Sequence, residues 1–160
     1  MSIEGMYQEV ILDHHRHPIG RGLREPFGGQ AHHINTSCGD ELTVRVALSA
    51  DGTRVEDVSW EGDGCAISVA SMSVLCDNLT GATVEQSLQS HGAFLELMHS
   101  KGQGTADPDL LADAVAFTGV AQFPARVKCA LLGWMAFEDA LSHARDVTQT
   151  GNSAQGGTHD

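Results

Sequence analysis

No stretch of this 160-residue chain stays apolar long enough to cross a bilayer; its longest unbroken hydrophobic runs are only a few residues. The N-terminus, Met1-Ser2-Ile3-Glu4-Gly5-Met6, has no basic segment followed by an apolar one. No secretory signal is therefore expected, and the cytoplasm is the expected compartment. Basic residues are scarce: nine Lys and Arg stand against 21 Asp and Glu, a formal net charge of −12. Such a surface repels phosphate backbones and anionic lipid, which argues against nucleic-acid binding and membrane attachment. The same charge is read either as solubility or as a field that steers a basic partner onto the surface, and the sequence alone does not choose between them. Also missing are a phosphate-binding loop, a G-x-S-x-G elbow and a dinucleotide fingerprint, so those chemistries lose their usual signatures. Cysteine is limited to Cys38, Cys65, Cys76 and Cys129. A chain of this size needs no disulfide staples in a reducing compartment, so metal binding or thiol chemistry is the better expectation.

Hydrophobic periodicity supplies the architecture. Ile3, Met6, Tyr7, Val10 and Ile11 fall on one face of a first helix, with Ser2 as its cap and Pro18 beyond its end. Gly- and Pro-punctuated loop follows, then a short strand around 31–36. Leu42, Val44, Val46 and Leu48 alternate with Thr43, Arg45 and Ala47, as in a strand with one buried face. A turn at Ala50-Asp51-Gly52-Thr53 leads into a second strand over 55–60, which makes an antiparallel hairpin. Cys65 opens a helix that runs to about Thr80, with Gly81 suited to the position after its C-cap. Thr83 and Gln86 form a capping-box pattern for a short helix to Gln89, and Phe94 to Met98 suggest a separate one. Asp107 and Pro108 cap and start a helix over 109–117, and Pro124 opens the last helix. Its apolar face is Val127, Ala130, Leu131, Trp134, Phe137 and Leu141. The expected fold is α+β, a small antiparallel sheet with helices packed on one side. One domain over residues 1–145 and a flexible polar tail over 146–160 complete the organisation.

The chemistry concentrates at three cysteines. Cys38 stands in Ser37-Cys38-Gly39-Asp40, where Gly39 allows a turn tight enough for Cys38 and Asp40 to converge. Cys65 follows Gly62-Asp63-Gly64 and opens a helix, and Cys129 lies early in the last one. A helix N-terminus lowers a thiol's pKa and favours the thiolate that metal binding and sulfur chemistry both need. Cys38, Asp40, Cys65 and Cys129 make a candidate tetrahedral set of three sulfurs and one oxygen, a set that zinc accepts. Around a divalent ion it carries a formal charge of −2, so Arg126 and Lys128 beside Cys129 are candidates to offset it. The competing reading makes those two cations a solvated helix start and each cysteine a small buried hydrophobe. For Cys76, amid Met72, Leu75 and Leu79, the core reading is preferred. His14, His15 and His17 are explained by the negative end of the first helix, and His32 and His33 point to opposite faces of a strand.

Four segments together resemble one family. They are Tyr7-Gln8-Glu9-Val10-Ile11-Leu12-Asp13-His14, Asn35-Thr36-Ser37-Cys38-Gly39-Asp40, Gly62-Asp63-Gly64-Cys65-Ala66-Ile67-Ser68 and Pro124-Ala125-Arg126-Val127-Lys128-Cys129-Ala130-Leu131-Leu132. In combination they resemble the U-type iron–sulfur cluster assembly proteins, from near the start of the chain to about residue 143. The scaffold branch of that family carries His before the last cysteine, where this chain has Lys128, and 106–123 resembles a segment that the SufU branch inserts. The SufU resemblance implies a zinc site at Cys38, Asp40, Cys65 and Cys129, and a pyridoxal-phosphate-dependent cysteine desulfurase of SufS type as sulfur donor. It implies Cys38 as the persulfide acceptor, Arg126 as a residue supporting the site, and a SufBCD-type scaffold as the expected downstream partner. Two other readings of the same ligands stay open: a scaffold holding iron or a [2Fe-2S] cluster, and a structural zinc module that recruits partners.

Overall fold

The computed structural model describes residues 3–37 and 39–153, so the cap expected at Ser2 lies outside the described residues. Helix α1 spans Ile3–Arg16, and three strands follow: β1 (Gly29–Asn35), β2 (Asp40–Leu48) and β3 (Val55–Asp63). They pair antiparallel in the order β1-β2-β3, with Asn35 opposite Asp40 and Val44 opposite Trp60. Alternation places Leu42, Val44 and Val46 of the central strand at zero exposure on one face. The sheet is longer than the sequence suggested, because β3 continues to Asp63 against Glu41 and so carries the ladder to the edge of the cysteine region.

Helices α2 (Ala66–Leu79), α3 (Val84–Met98), α4 (Pro108–Leu111) and α5 (Pro124–Ser153) complete the layer, with a 3₁₀ segment, Ala112–Gln122, between the last two. Helix α5 packs over β1 and β2, while α2 lies between α1, α5 and β3. Helix α2 is buried on nearly every side, and its serines are satisfied there. Ser71 Oγ donates to the Ala130 carbonyl at 2.7 Å and accepts from Trp134 Nε1 at 2.9 Å. The Trp134 ring stacks on Phe94 at 4.2 Å between centroids, joining α3 to α5. Cys76, 1% exposed, is a core residue as expected, and burial pushes its thiol pKa strongly up.

Two helix assignments need correction. The short helices expected around 83–89 and 94–98 are one helix, α3, capped by Thr83 and Gln86. Gly92 lies inside it; a lone glycine costs only about 1 kcal/mol, and the buried row Val84, Ser87, His91, Phe94, Met98 runs through without a break. The helix expected over 109–117 is α4 followed by the 3₁₀ segment, with Ala112 at a φ of +47° between them. Leu111, Ala114, Phe117 and Val120 are all buried, a repeat of three residues that matches the 3₁₀ period. Helix α5 continues beyond Asp146, where the sequence suggested a polar tail; residues 154–160 lie outside the described residues.

The histidine pattern of α1 also has a more specific explanation than its helix dipole. His14 is 6% exposed, with Nδ1 2.7 Å from Ser73 Oγ and Nε2 3.0 Å from Asp113 Oδ2. Ser73 Oγ also accepts from the Ile19 amide at 2.8 Å. A neutral imidazole satisfies all three: Ser73 donates to Nδ1, and Nε2 donates to Asp113. His14 thereby ties α1 to α2 and to the 3₁₀ segment. Replacing it, His14→Ala, leaves the buried Ser73 hydroxyl without its acceptor and should lower unfolding stability by about 1–3 kcal/mol. Urea denaturation measures this, and an unchanged midpoint would refute it.

Candidate metal centre

The centre is built at one end of the sheet, where strand ladder, hairpin turn and two helix starts meet. Asp40 begins β2 and is 2% exposed, an unusual burial for a carboxylate. Its surroundings explain this. Oδ1 accepts from the Cys65 backbone amide at 2.9 Å, and Oδ2 accepts from the Ser68 hydroxyl. The Cys65 thiol also points at Oδ2, at 3.6 Å, and stands 3.5 Å from Ser68 Oγ. Cys65 is the N-cap of α2, yet its own side chain makes no capping bond. Asp40, 25 residues earlier, accepts instead from the Cys65 amide and sets its negative charge against the positive end of the helix dipole.

Glycine delivers Cys65 to this place. Gly62 has a φ of +148°, and a Cβ there would lie 2.1 Å from the Glu41 carbonyl oxygen, so only glycine lets β3 approach β2 before the chain turns into α2. The third group, Cys129, sits in the second turn of α5, 5% exposed, with its thiol 3.6 Å from the Ala125 carbonyl oxygen.

One ligand atom each from Asp40, Cys65 and Cys129 lies within 4.8 Å of the others. A tetrahedral ion with bonds near 2.3 Å holds its ligand atoms roughly 3.7 Å apart, so a contraction of at most about 1 Å turns this cluster into a coordination shell. The donor chemistry fits as well. The thiol proton on Cys65 faces a carboxylate, and a divalent cation binding there would displace it. Three of the four residues expected to form the set are thus brought together.

Cys38, the fourth, lies outside the described residues, but its neighbours do not. Gly39, at a φ of +73°, donates its amide to the Asn35 carbonyl at 2.9 Å. Ser37 donates its amide to Asn35 Oδ1 at 3.1 Å. These bonds close a hairpin turn from β1 into β2 whose last residue leads directly to Asp40. Ser68 and Asn35 escaped the sequence reading.

Arg126 is exposed, one turn before Cys129, and pairs with no carboxylate among the described residues; Lys128 is exposed beside it. Arg126 lines a groove of about 600 Å³ whose other walls include Ile11, Leu12, Ala66, Ile67 and Phe123. Ala66 and Ile67 directly follow Cys65, so the groove adjoins the cysteine cluster and is mostly apolar. Among the described residues, no helix is long and apolar enough to cross a membrane.

Residues 6–130 match the family described as the NifU-like N-terminal domain. The chain is 35% identical over 142 residues to the zinc-dependent sulfurtransferase SufU of Bacillus subtilis, covering 88% of this chain and 92% of that protein. It is 33% identical over 147 residues to the iron–sulfur cluster assembly scaffold protein IscU of Streptococcus pyogenes, covering 91% of this chain and 89% of that one. Among solved structures, the N-terminal part of a nitrogen-fixing NifU-like protein from Brucella abortus superposes with a TM-score of 0.79 at 27% identity, covering 90% of this chain and 97% of the other. The chain belongs to the family of NifU-like N-terminal domains, among its SufU-type members.

Proposed function

We propose that the protein is a zinc-dependent sulfurtransferase of iron–sulfur cluster assembly, accepting sulfur on Cys38 from the persulfide of a SufS-type cysteine desulfurase. The observation that carries this reading is the convergence of Asp40, Cys65 and Cys129 two residues along the chain from Cys38. Zinc held by Cys38, Asp40, Cys65 and Cys129 would keep the cysteine sulfurs as thiolates at neutral pH. The chain's own residues prepare the rest. Asp40 is oriented through the Cys65 amide and the Ser68 hydroxyl, so its carboxylate cannot rotate away. Arg126, which pairs with no carboxylate among the described residues, would balance surplus negative charge at the site and meet the anionic persulfide.

Transfer itself needs no oxidant. The Cys38 thiolate attacks the outer sulfur of the donor persulfide; a new S–S bond forms, the donor's S–S bond breaks, and its cysteine leaves as a thiolate. The apolar groove beside Cys65, with exposed Phe123 and Leu12 on its walls, supports close docking of the donor.

The relative from Streptococcus pyogenes supports a second reading, a scaffold for a [2Fe-2S] cluster on the same ligands. Position 128 weighs against it here, because a lysine ammonium has no lone pair to offer a metal.

Metal analysis and desulfurase turnover separate the two. Protein purified without added metal should contain about one zinc per chain, stimulate the desulfurase, and lose that stimulation on Cys38→Ala. An iron–sulfur absorbance band with little zinc would favour the scaffold, and full stimulation by the variant would remove Cys38 as acceptor. For the ligand shell, Ser68→Ala should weaken zinc affinity by about 10–100-fold and Asp40→Ala by more. Competition with a chromogenic chelator reads both, and wild-type affinity in the Asp40 variant would take that carboxylate out of the site.

A further inference from the structure

A second group of metal-ligating side chains lies outside the cysteine centre. One ligand atom each from His14, Asp77 and Asp113 falls within 4.8 Å of the others. They come from three different elements, α1, α2 and the 3₁₀ segment. His14 Nε2 and Asp113 Oδ2 stand 3.0 Å apart. Around an ion with bonds near 2.1 Å, neighbouring ligand atoms sit roughly 3.0–3.4 Å from one another. Two of the three are already at that spacing, and the exposed Asp77 completes the set by moving less than about 2 Å.

Hydrogen bonding accounts for only part of this group. A neutral His14 has a single N–H on Nε2, and Asp113 accepts it. Asp77 has no ion-pair partner among the described residues, and no Lys or Arg there pairs with Asp113. Two carboxylates this close repel unless a positive charge lies between them. A divalent cation supplies that charge and leaves the whole group neutral.

The imidazole sets this group apart from a surface pair of acids. His14 is 6% exposed, and its ring is held with Nδ1 2.7 Å from Ser73 Oγ. Its Nε2 is therefore aimed at the carboxylates, while the exposure of both acids leaves room for water on an ion. When an ion takes Nε2, the ring carries its proton on Nδ1 and donates it to Ser73, the kind of bond that fixes a metal-bound histidine. The Ser73 hydroxyl then turns its hydrogen to the carbonyl one helical turn back, a common arrangement for serines inside helices.

We propose that His14, Asp77 and Asp113 bind a second divalent transition-metal ion, through Nε2 and one oxygen of each carboxylate. One imidazole with two carboxylates suits zinc, cobalt or manganese above magnesium or calcium, which prefer oxygen alone. The ion clamps α1, α2 and the 3₁₀ segment, the same three elements whose Ile11, Ile67 and Val120 line the apolar groove. The site shares no residue with the cysteine centre and does not rest on Cys38 as the acceptor.

Cobalt tests this on the zinc-loaded protein, because cobalt stands below zinc in affinity and leaves the thiolates to the zinc. Calorimetry should show about one further ion per chain, with no intense thiolate-to-cobalt absorbance. Paramagnetic shifts should centre on the His14 ring protons. Asp77→Asn disturbs no ion pair of the fold, and Asp113→Asn keeps an oxygen to accept from Nε2. Each should weaken cobalt binding at least about tenfold, since loss of a supporting hydrogen bond alone costs about 10–100-fold. Cobalt should raise the unfolding temperature of wild type, and that shift should vanish in both variants. Wild-type affinity in either variant overturns the proposal, and so do shifts that centre on His15, His17 or another histidine. Uptake of no cobalt beyond the zinc overturns it as well. Cobalt entering the cysteine centre would show itself by the thiolate absorbance, so a failure of the zinc reading stays distinct from a failure here.

Discussion

The structure turns on a single buried carboxylate. Asp40 begins the central strand and accepts from the amide of Cys65, the residue 25 positions later that precedes α2. A charge this deeply buried is tolerated because two donors and a helix dipole meet it, and those donors belong to Cys65 and Ser68. Sheet, turn and helix are thereby locked into one arrangement before any ion is considered. Removing the carboxylate would leave the Cys65 amide and the Ser68 hydroxyl without their acceptor as well as the cluster without its oxygen. Stability and chemistry are coupled at this residue and cannot be tuned separately.

Around that anchor the helices do different work. Helix α2 is buried on most sides and contributes little variation in exposure, so it acts as the axle of the layer. Helix α5 brings Cys129 to the cluster from a distant part of the chain and packs its remaining length on the sheet. The segment between α4 and α5 lies against α1 and α2, and with them it walls the apolar groove beside Cys65. Residues of the 3₁₀ segment, Ala116, Gly119, Val120 and Gln122, therefore help shape that groove.

Much of this was readable from residue patterns, for identifiable reasons. The alternation in β2, the capping box at Thr83, Cys65 as a helix start and Cys76 in the core follow from local rules of periodicity and capping. The misread parts are those where local preference yields to packing. Gly92 looks like a boundary until the buried row through His91 and Phe94 carries α3 across it. Leu111, Ala114, Phe117 and Val120 repeat every three residues, a 3₁₀ signature easily mistaken for a weak α-helix. His14 looked like an end-of-helix cation, whereas its partners Ser73 and Asp113 are 59 and 99 residues away. At the centre, Asp40, Cys65 and Cys129 stand out in the sequence as candidates and lie together in the fold, but Ser68 does not stand out, because its bond to Asp40 depends on a residue 28 positions away.

The cluster is lopsided. Asp40 and Cys129 are sealed in the core, while Cys65 is open to solvent. Of the three, Cys65 is the group that solvent already touches, so a chelator or an oxidant meets it before either buried neighbour. A protein that covers Cys65 would therefore shield the described thiol of this cluster that stands open.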